Sequence, residues 1–287
     1  MLECLSIIAN LPGYSFLEQL AMLLLANILR AGPIPGHVCF VMDGNRRYAK
    51  EKKFSLADGH KLGANTFVKI LEWCFKVGIK NVTAFAFSIE NFNRPPKEIE
   101  MLFALLRQKL HDLSARDFYF CKLHQARIKI IGNKWQLPAD INNQINFVEN
   151  KTKQFNRHIL FIALPYTSRD DIAHSIAKVA GNFNVHHHIN VELIEKNFYF
   201  DGLQIPVDLI IRTSGHYRLS DFMLWQSQQS VIEYPATLWP NYSILDLSWS
   251  IFKWGYYNST QRGNKHKVPY KLIVNNHPPF ASANKVA

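Results

Sequence analysis

Short β-branched or aromatic runs at 38–42, 82–87, 127–131, 158–164 and 208–212 alternate along this chain with longer helical patterns at 61–77, 97–112, 139–155 and 169–180. This alternation restricts the fold more than any other feature. A strand that returns parallel to its predecessor needs a crossover of about a dozen residues, and a helix supplies it. The runs "VCFVM" and "HILFIAL" are apolar at nearly every position. Parallel strands look like this because helices cover both faces of their sheet. The expected fold is therefore α/β: a single domain with a central, mostly parallel sheet flanked by helices. Such sheets bind ligands outside the carboxyl ends of their strands, so the residues that follow each run are the first candidates for function.

Composition narrows the partners. The chain has 287 residues, 48% of them hydrophobic, enough for a substantial core. Its formal charge of +11 favours anions: nucleic acid, an anionic membrane or phosphorylated small molecules. The basic residues are scattered and no recognised nucleic-acid motif is present, which argues against the first. The four cysteines, Cys4, Cys39, Cys74 and Cys121, form no CxxC pair. They suggest neither a disulfide framework nor a zinc site, and fit a reducing compartment.

The N-terminus is rich in Leu and Ile, but its first charge is Glu3 and Pro12-Gly13 break the run. That does not fit a signal peptide, and no stretch reaches the unbroken apolar length of a membrane span. Residues 15–30 read as an amphipathic helix ended by Gly32 and Pro33. It would either pack on its own domain or lie in a membrane interface.

Polar clusters follow the strand ends. After the first run come Asp43, Gly44, Asn45, Arg46 and Arg47. Glycine lets backbone amides approach an anion, and a helix starting here would turn its positive end toward it. Arginine adds bidentate contacts to phosphate. A carboxylate in so basic a place is explained if a cation joins it to phosphate, as Mg²⁺ does. An Asp cap beside solvated arginines would explain it too. A second cluster is Ser88, Glu90, Asn91 and Arg94, before Pro95-Pro96 open a helix. His60, in "GHK", stands before a helix. Arg212 ends a strand, with Arg218 and Ser220 in the Gly-containing loop beyond. These clusters predict two separate anion pockets around one metal-capable carboxylate. His186–His188 read as a solvated connection.

The set "MDGNRRYA", "GHKLG", "FSIENFNRP", "YTSR", "DLIIRTSGHYRLSDFMLWQ" and "LWP" resembles, in order and spacing, the cis-prenyltransferases. The likeness runs from about Pro33 to Tyr256 and is strongest to eukaryotic catalytic subunits of the dehydrodolichyl diphosphate synthase type. The resemblance implies Mg²⁺-dependent cis-condensation of isopentenyl diphosphate onto farnesyl diphosphate. The product would be a long polyprenyl diphosphate for dolichol and protein glycosylation. It implies that Asp43 holds Mg²⁺ and that Asp43 and Asn91 are catalytic. Gly44, Asn45, Arg46, Arg47, Tyr48 and His60 would surround the allylic diphosphate. Arg212, Arg218 and Ser220 would hold isopentenyl diphosphate, with Ser88, Glu90, Phe92 and Arg94 between them. A neutral amide is a poor base, so Asn91 is expected to orient substrate while a diphosphate oxygen or Asp43 takes the proton. Asp43 is expected to face the pocket, so its loss should spare folding.

The chain departs from the family at His216, where Glu is common, at Leu56, where many members have Arg, and at Val231, where bacterial members bind metal through Glu. The first two leave a weakly active or non-catalytic subunit as the alternative. The resemblance further implies a heteromer with a Nogo-B-receptor-like subunit that supplies an Arg-x-Gly motif, which this sequence lacks; a homodimer is the other assembly. The expected location is the cytosolic face of the endoplasmic reticulum or a lipid droplet. The expected domains are a membrane-associating segment at 1–32, a catalytic domain at 33–257 and a polar tail at 258–287.

Overall fold

The computed structural model describes residues 14–115, 118–181, 189–203 and 205–262. Six strands form one sheet: β1 (His37–Val41), β2 (Asn81–Phe85), β3 (Ala126–Ile131), β4 (His158–Ala163), β5 (Leu209–Arg212) and β6 (Val231–Glu233). Their order is β3-β4-β2-β1-β5-β6, and every pairing is parallel. All five predicted strands are present. The sixth, β6, is a three-residue edge strand, too short to carry a periodicity. β1 lies between β2 and β5 with all five residues buried, which is why "HVCFV" is apolar throughout after its histidine.

The helices are α1 (Tyr14–Ala31), α2 (Asn45–Lys52), α3 (Leu56–Val77), α4 (Pro96–Ala115), α5 (Phe118–His124), α6 (Ala139–Thr152), α7 (Ser168–Gly181), α8 (Val191–Lys196) and α9 (Ile244–Arg262). The pleat divides β1 between two cores. Val38 and Phe40 pack with Ile70, Trp73 and Trp239 on one face. Cys39 and Val41 pack with Phe161, Ile210 and Phe222 on the other. Local chemistry sets the helix ends. Ser55 caps α3 by accepting from the Asp58 N–H, and Gly78 closes it at φ +103°.

The N-terminal helix packs on its own domain through one side only. Ala26 and Leu29 of α1 are buried, while Leu20, Leu23, Leu24 and Ile28 are exposed. Among the described residues no helix is long and apolar enough to cross a membrane. The last helix, α9, lies outside the predicted set. It buries Leu247, Ile251 and Trp254 yet exposes Leu245, Trp249, Phe252 and Tyr256. Apolar residues on both faces blur the helical period. It runs through Asn258 to Arg262, so the polar tail expected from 258 begins inside a helix. Cys4, the three histidines at 186–188 and the remainder of that tail lie outside the described residues.

The topology places the site. The chain leaves β1 toward β2 and leaves β5 toward β6, in opposite directions along the sheet. The carboxyl ends of β1 and β5 therefore border a crevice at the switch point, where open parallel sheets take their ligands.

Candidate active site

Asp43 follows β1 and Arg212 ends β5, and they meet at that crevice. The Arg212 guanidinium donates from Nη2 to Asp43 Oδ2 at 2.8 Å, and from Nη1 to Ser220 Oγ at 2.6 Å and the Arg218 carbonyl at 2.8 Å. Arg212 is 3% exposed. Burial pushes the Asp43 carboxyl up, but the Arg212 hydrogen bond and charge outweigh it and hold the group below the usual carboxylate range. Thr213 and Trp239 fix the Asp43 carbonyl, through Thr213 Oγ1 at 2.7 Å and the Trp239 N–H at 3.1 Å.

The two predicted anion-binding clusters open into one shared space. One cavity of about 1380 Å³ is lined by Asp43, Gly44, Asn45, Arg46, Arg47, His60, Ser88, Glu90, Asn91, Arg94, Arg212, Arg218 and Ser220 together. Tyr48 and Phe92 are not among its lining residues. Tyr48 packs against Phe54, and Phe92 packs between Phe87 and Phe103 at the edge of the core. Aromatic residues beside charged ones in a short motif point to opposite sides of a turn, and the sequence alone does not say which side is wet.

The glycines of the motifs bring α2 and α3 together. Gly44 caps α2 at φ +112°, a conformation costly for any other residue. A Cβ on Gly63 would stand 2.1 Å from Asn45 Oδ1, and one on Gly59 would stand 2.8 Å from the Asn45 carbonyl. "GHKLG" is thus a small-residue face that lets α2 lie close against α3. Trp239 of "LWP" ties down the same place by donating to the Gly63 carbonyl at 2.8 Å. His60 lies within the first turns of α3 rather than before the helix.

Asn91 is committed on one side. Its Oδ1 accepts from the Ser88 N–H at 3.1 Å, closing a capping box on the 3-10 turn Ile89–Asn93. Its amide carbonyl is therefore engaged in shaping the loop, while the NH₂ group can donate. Arg94 pairs with Glu98 at 2.9 Å. Arg169 and Asp221 also line the cavity, and sequence reasoning missed both as site residues. Arg169 Nε donates to Asp221 Oδ2 at 2.8 Å and a second guanidinium nitrogen lies 3.7 Å from Glu90 Oε1, joining two loops across the rim. The signal was there in "YTSR" and "LSD", but exposed charges look alike in sequence. Leu56, by contrast, is not among the lining residues.

Behind this charged mouth the cavity continues between α3, α4, α5 and the sheet. Its walls are Phe67, Leu71, Phe87, Leu102, Phe103, Leu106, Phe120, Ile128, Leu160 and Ile162. It reaches Ala126 at the start of β3. The six residues of β3 span about 16 Å at the usual rise per residue.

His60 is held near 4, chiefly by burial and then by the positive charges of Arg94 and Arg46. His37, buried in β1, is likewise held near 4 by burial. Both pKa values lie below the unfolded value near 6.5, so between pH 6.5 and 4 the unfolded chain binds the extra protons. Stability is then full above pH 6.5 and falls as pH drops through that window. A shift of this size corresponds to roughly 3 kcal/mol per histidine when complete. Urea unfolding is expected to show lower stability at pH 5.0 than at 7.5, with a smaller difference in a His60→Gln variant.

Comparison with known proteins gives one consistent answer. The prenyltransferase family model, that of undecaprenyl diphosphate synthases, matches residues 41–262. The chain is similar to a protein of Saccharomyces cerevisiae, "Dehydrodolichyl diphosphate synthase complex subunit SRT1", at 39% identity over 269 residues, covering 92% of this chain and 78% of the relative. It is similar to the Homo sapiens "Dehydrodolichyl diphosphate synthase complex subunit DHDDS" at 38% identity over 232 residues, covering 79% and 68%. Among solved structures, lavandulyl diphosphate synthase from Lavandula x intermedia in complex with dimethylallyl diphosphate matches with a TM-score of 0.71 at 27% identity, covering 77% of this chain and 95% of that one.

Proposed function

Because this chain belongs to the undecaprenyl diphosphate synthase family of cis-prenyltransferases, we propose that it is the catalytic subunit of a dehydrodolichyl diphosphate synthase, extending farnesyl diphosphate with isopentenyl units. The observation that carries this reading is the single cavity that joins a basic mouth to a long apolar interior. A polyprenyl diphosphate has that shape, with an anionic head and a growing hydrocarbon tail.

The residues divide the work. The N-terminus of α2, with Gly44, Asn45, Arg46, Arg47 and neutral His60, binds the allylic diphosphate. Arg212, Arg218 and Ser220 bind isopentenyl diphosphate. The allylic C–O bond breaks and the diphosphate leaves with the electron pair. The isopentenyl double bond attacks the allylic carbon, and one proton is lost to form the new cis double bond. Negative charge grows on the leaving oxygens, and the arginines that line the same cavity stabilise it. The donor set fits a magnesium ion: Asp43 is an ionised carboxylate in a basic cavity, and Mg²⁺ binds through one or two carboxylates plus substrate phosphates. When bound by Asp43, that ion supplies further charge stabilisation to the diphosphate. Asn91, with its carbonyl committed to Ser88, orients substrate through its amide N–H groups. A carboxylate held below its usual range is a poor proton acceptor, which favours a diphosphate oxygen over Asp43.

The similar proteins of yeast and human are named as complex subunits, which supports a heteromer for this chain, with a Nogo-B-receptor-like partner as our specific assignment. Incorporation of radiolabelled isopentenyl diphosphate, with farnesyl diphosphate and Mg²⁺, tests the function. It is run with and without such a partner. Polyprenyl product in either condition is expected; no product in both would overturn the reading.

The exposed face of α1 gives a location test. We assign Leu20, Leu23, Leu24 and Ile28 to a membrane interface on the cytosolic face of the endoplasmic reticulum, where the lipid product is delivered. Replacing these four with Ser is expected to release the protein from sedimenting liposomes without unfolding it. Deleting the helix is a poorer test, since Ala26 and Leu29 belong to the core. Unchanged sedimentation of the quadruple variant would remove the assignment.

A further inference from the structure

His216 lines the cavity beside Asp43, on the loop that follows β5. That loop is clamped. The Ser214 N–H donates to the Thr237 carbonyl at 2.8 Å, and the Gly215 N–H donates to the Pro235 carbonyl at 3.0 Å. Ser214 and Gly215 both take positive φ, +79° and +69°. For Ser214 this is a strained conformation, of the kind held in place only when surrounding structure demands it. The Arg218 N–H donates to the His216 carbonyl at 3.0 Å, closing the turn on itself. His216 is therefore placed, and its Nδ1 stands 3.3 Å from Asp43 Oδ2.

That separation has two explanations. A charge-assisted hydrogen bond is about 2.7–2.9 Å long, and this contact is longer. Two donor atoms on neighbouring positions of one metal ion, each at about 2.1 Å, stand about 3.0 Å apart at a right angle and more at wider angles. The observed spacing fits the edge of a coordination polyhedron. Lone pairs exist for it on both groups, at Nδ1 in the Nε2–H tautomer of His216 and on the Asp43 carboxylate. Asp43 Oδ2 takes one hydrogen bond, from Arg212, and a carboxylate oxygen has a second lone pair. Both side chains are open to the cavity, 31% exposed for Asp43 and 45% for His216. The substrate diphosphate would supply the other ligands.

We propose that His216 is a nitrogen ligand to the divalent cation held by Asp43, and that the resulting oxygen–nitrogen pair shifts this site's preference from Mg²⁺ toward Co²⁺ and Zn²⁺. Imidazole suits the later first-row ions, whereas Mg²⁺ demands oxygen. The proposal rests on the prenyl-transfer reading for the presence of a metal at Asp43. It differs from that reading in giving this chain its own metal selectivity at a position where oxygen ligands would serve magnesium better.

The test uses the full chain, with its partner subunit if one is required. Mn²⁺ is bound in the presence of inorganic pyrophosphate, and electron spin-echo envelope modulation is recorded. Wild type is expected to show the nitrogen coupling of a bound imidazole. His216→Gln is expected to lose it, with circular dichroism unchanged. Calorimetry is expected to show Mn²⁺ binding weakened by roughly tenfold or more in that variant, a size common when a metal site loses supporting groups. His216→Glu is expected to lower the Co²⁺-to-Mg²⁺ affinity ratio. Imidazole coupling absent from wild type, or present in His216→Gln, overturns the proposal. Isopentenyl incorporation by wild type is read in parallel. Turnover without the coupling removes the ligand and keeps the reaction; the coupling without turnover keeps the ligand and removes the reaction.

Discussion

Asp43→Ala is expected to lower isopentenyl incorporation by at least roughly 10²–10³-fold, the loss seen when a single preorganised charge-stabilising group is removed, and to destabilise the fold as well. The first effect follows from its place at the cavity mouth, where an ionised carboxylate stands among arginines. The second follows from Arg212. That guanidinium is almost wholly buried, and Asp43 is its anionic partner. Removing one partner of a fully buried pair costs about 3–5 kcal/mol. The Asp43 side chain keeps some solvent, and Arg212 retains Ser220 and the Arg218 carbonyl, so about 2 kcal/mol is the expectation here. This corrects the view that Asp43 only faces the pocket. Asp43→Asn separates the two roles. Its amide oxygen can still accept from Arg212, so urea unfolding should recover most of the stability, while turnover stays low. An Ala variant that turned over at the wild-type rate would remove Asp43 from the reaction. An Asn variant as unstable as Ala would remove the hydrogen-bond account.

Arg212→Met is the second large effect. The methionine keeps the aliphatic volume and removes the donors that hold the Arg218 carbonyl, Ser220 and Asp43. Stability is expected to fall by about 3 kcal/mol or more, because a carbonyl, a hydroxyl and a carboxylate lose their donor together. The KM for isopentenyl diphosphate should rise more than that for farnesyl diphosphate, since the loop from Arg218 to Ser220 is the part that loses its anchor. Equal losses for both substrates would mean that Arg212 serves the whole cavity rather than one end. The double variant Asp43→Asn, Arg212→Met should cost less stability than the sum of the single variants, because the second change removes a partner already left unpaired.

Much of this was legible in the chain itself. The strands are apolar because they are covered on both faces, and all five longer ones stand out. β6 did not, since three residues carry no period. α9 did not, since exposed Trp249 and Phe252 stand among its buried Leu247 and Ile251. The polar residues after β1 and β5 were recognisable by type. Tyr48 and Phe92 were not, because a turn can present an aromatic side chain to either the cavity or the core. Arg169 and Asp221 were overlooked because a rim ion pair between distant segments leaves no local pattern.

By itself the sequence determined the layer architecture, the order of the motifs and the residue types that meet an anion. Those depend on neighbours along the chain: side-chain periodicity, glycine where φ is positive, arginine behind a helix start. Only the tertiary structure decided that the two anion-binding loops share one cavity, that Asp43 both faces it and neutralises Arg212, and that His216 stands beside the same oxygen. These depend on the reversal of direction at β1 and β5, which brings residues 43, 212 and 216 together across the switch point. No local rule relates positions so far apart, so the pairing appears only once the sheet is assembled.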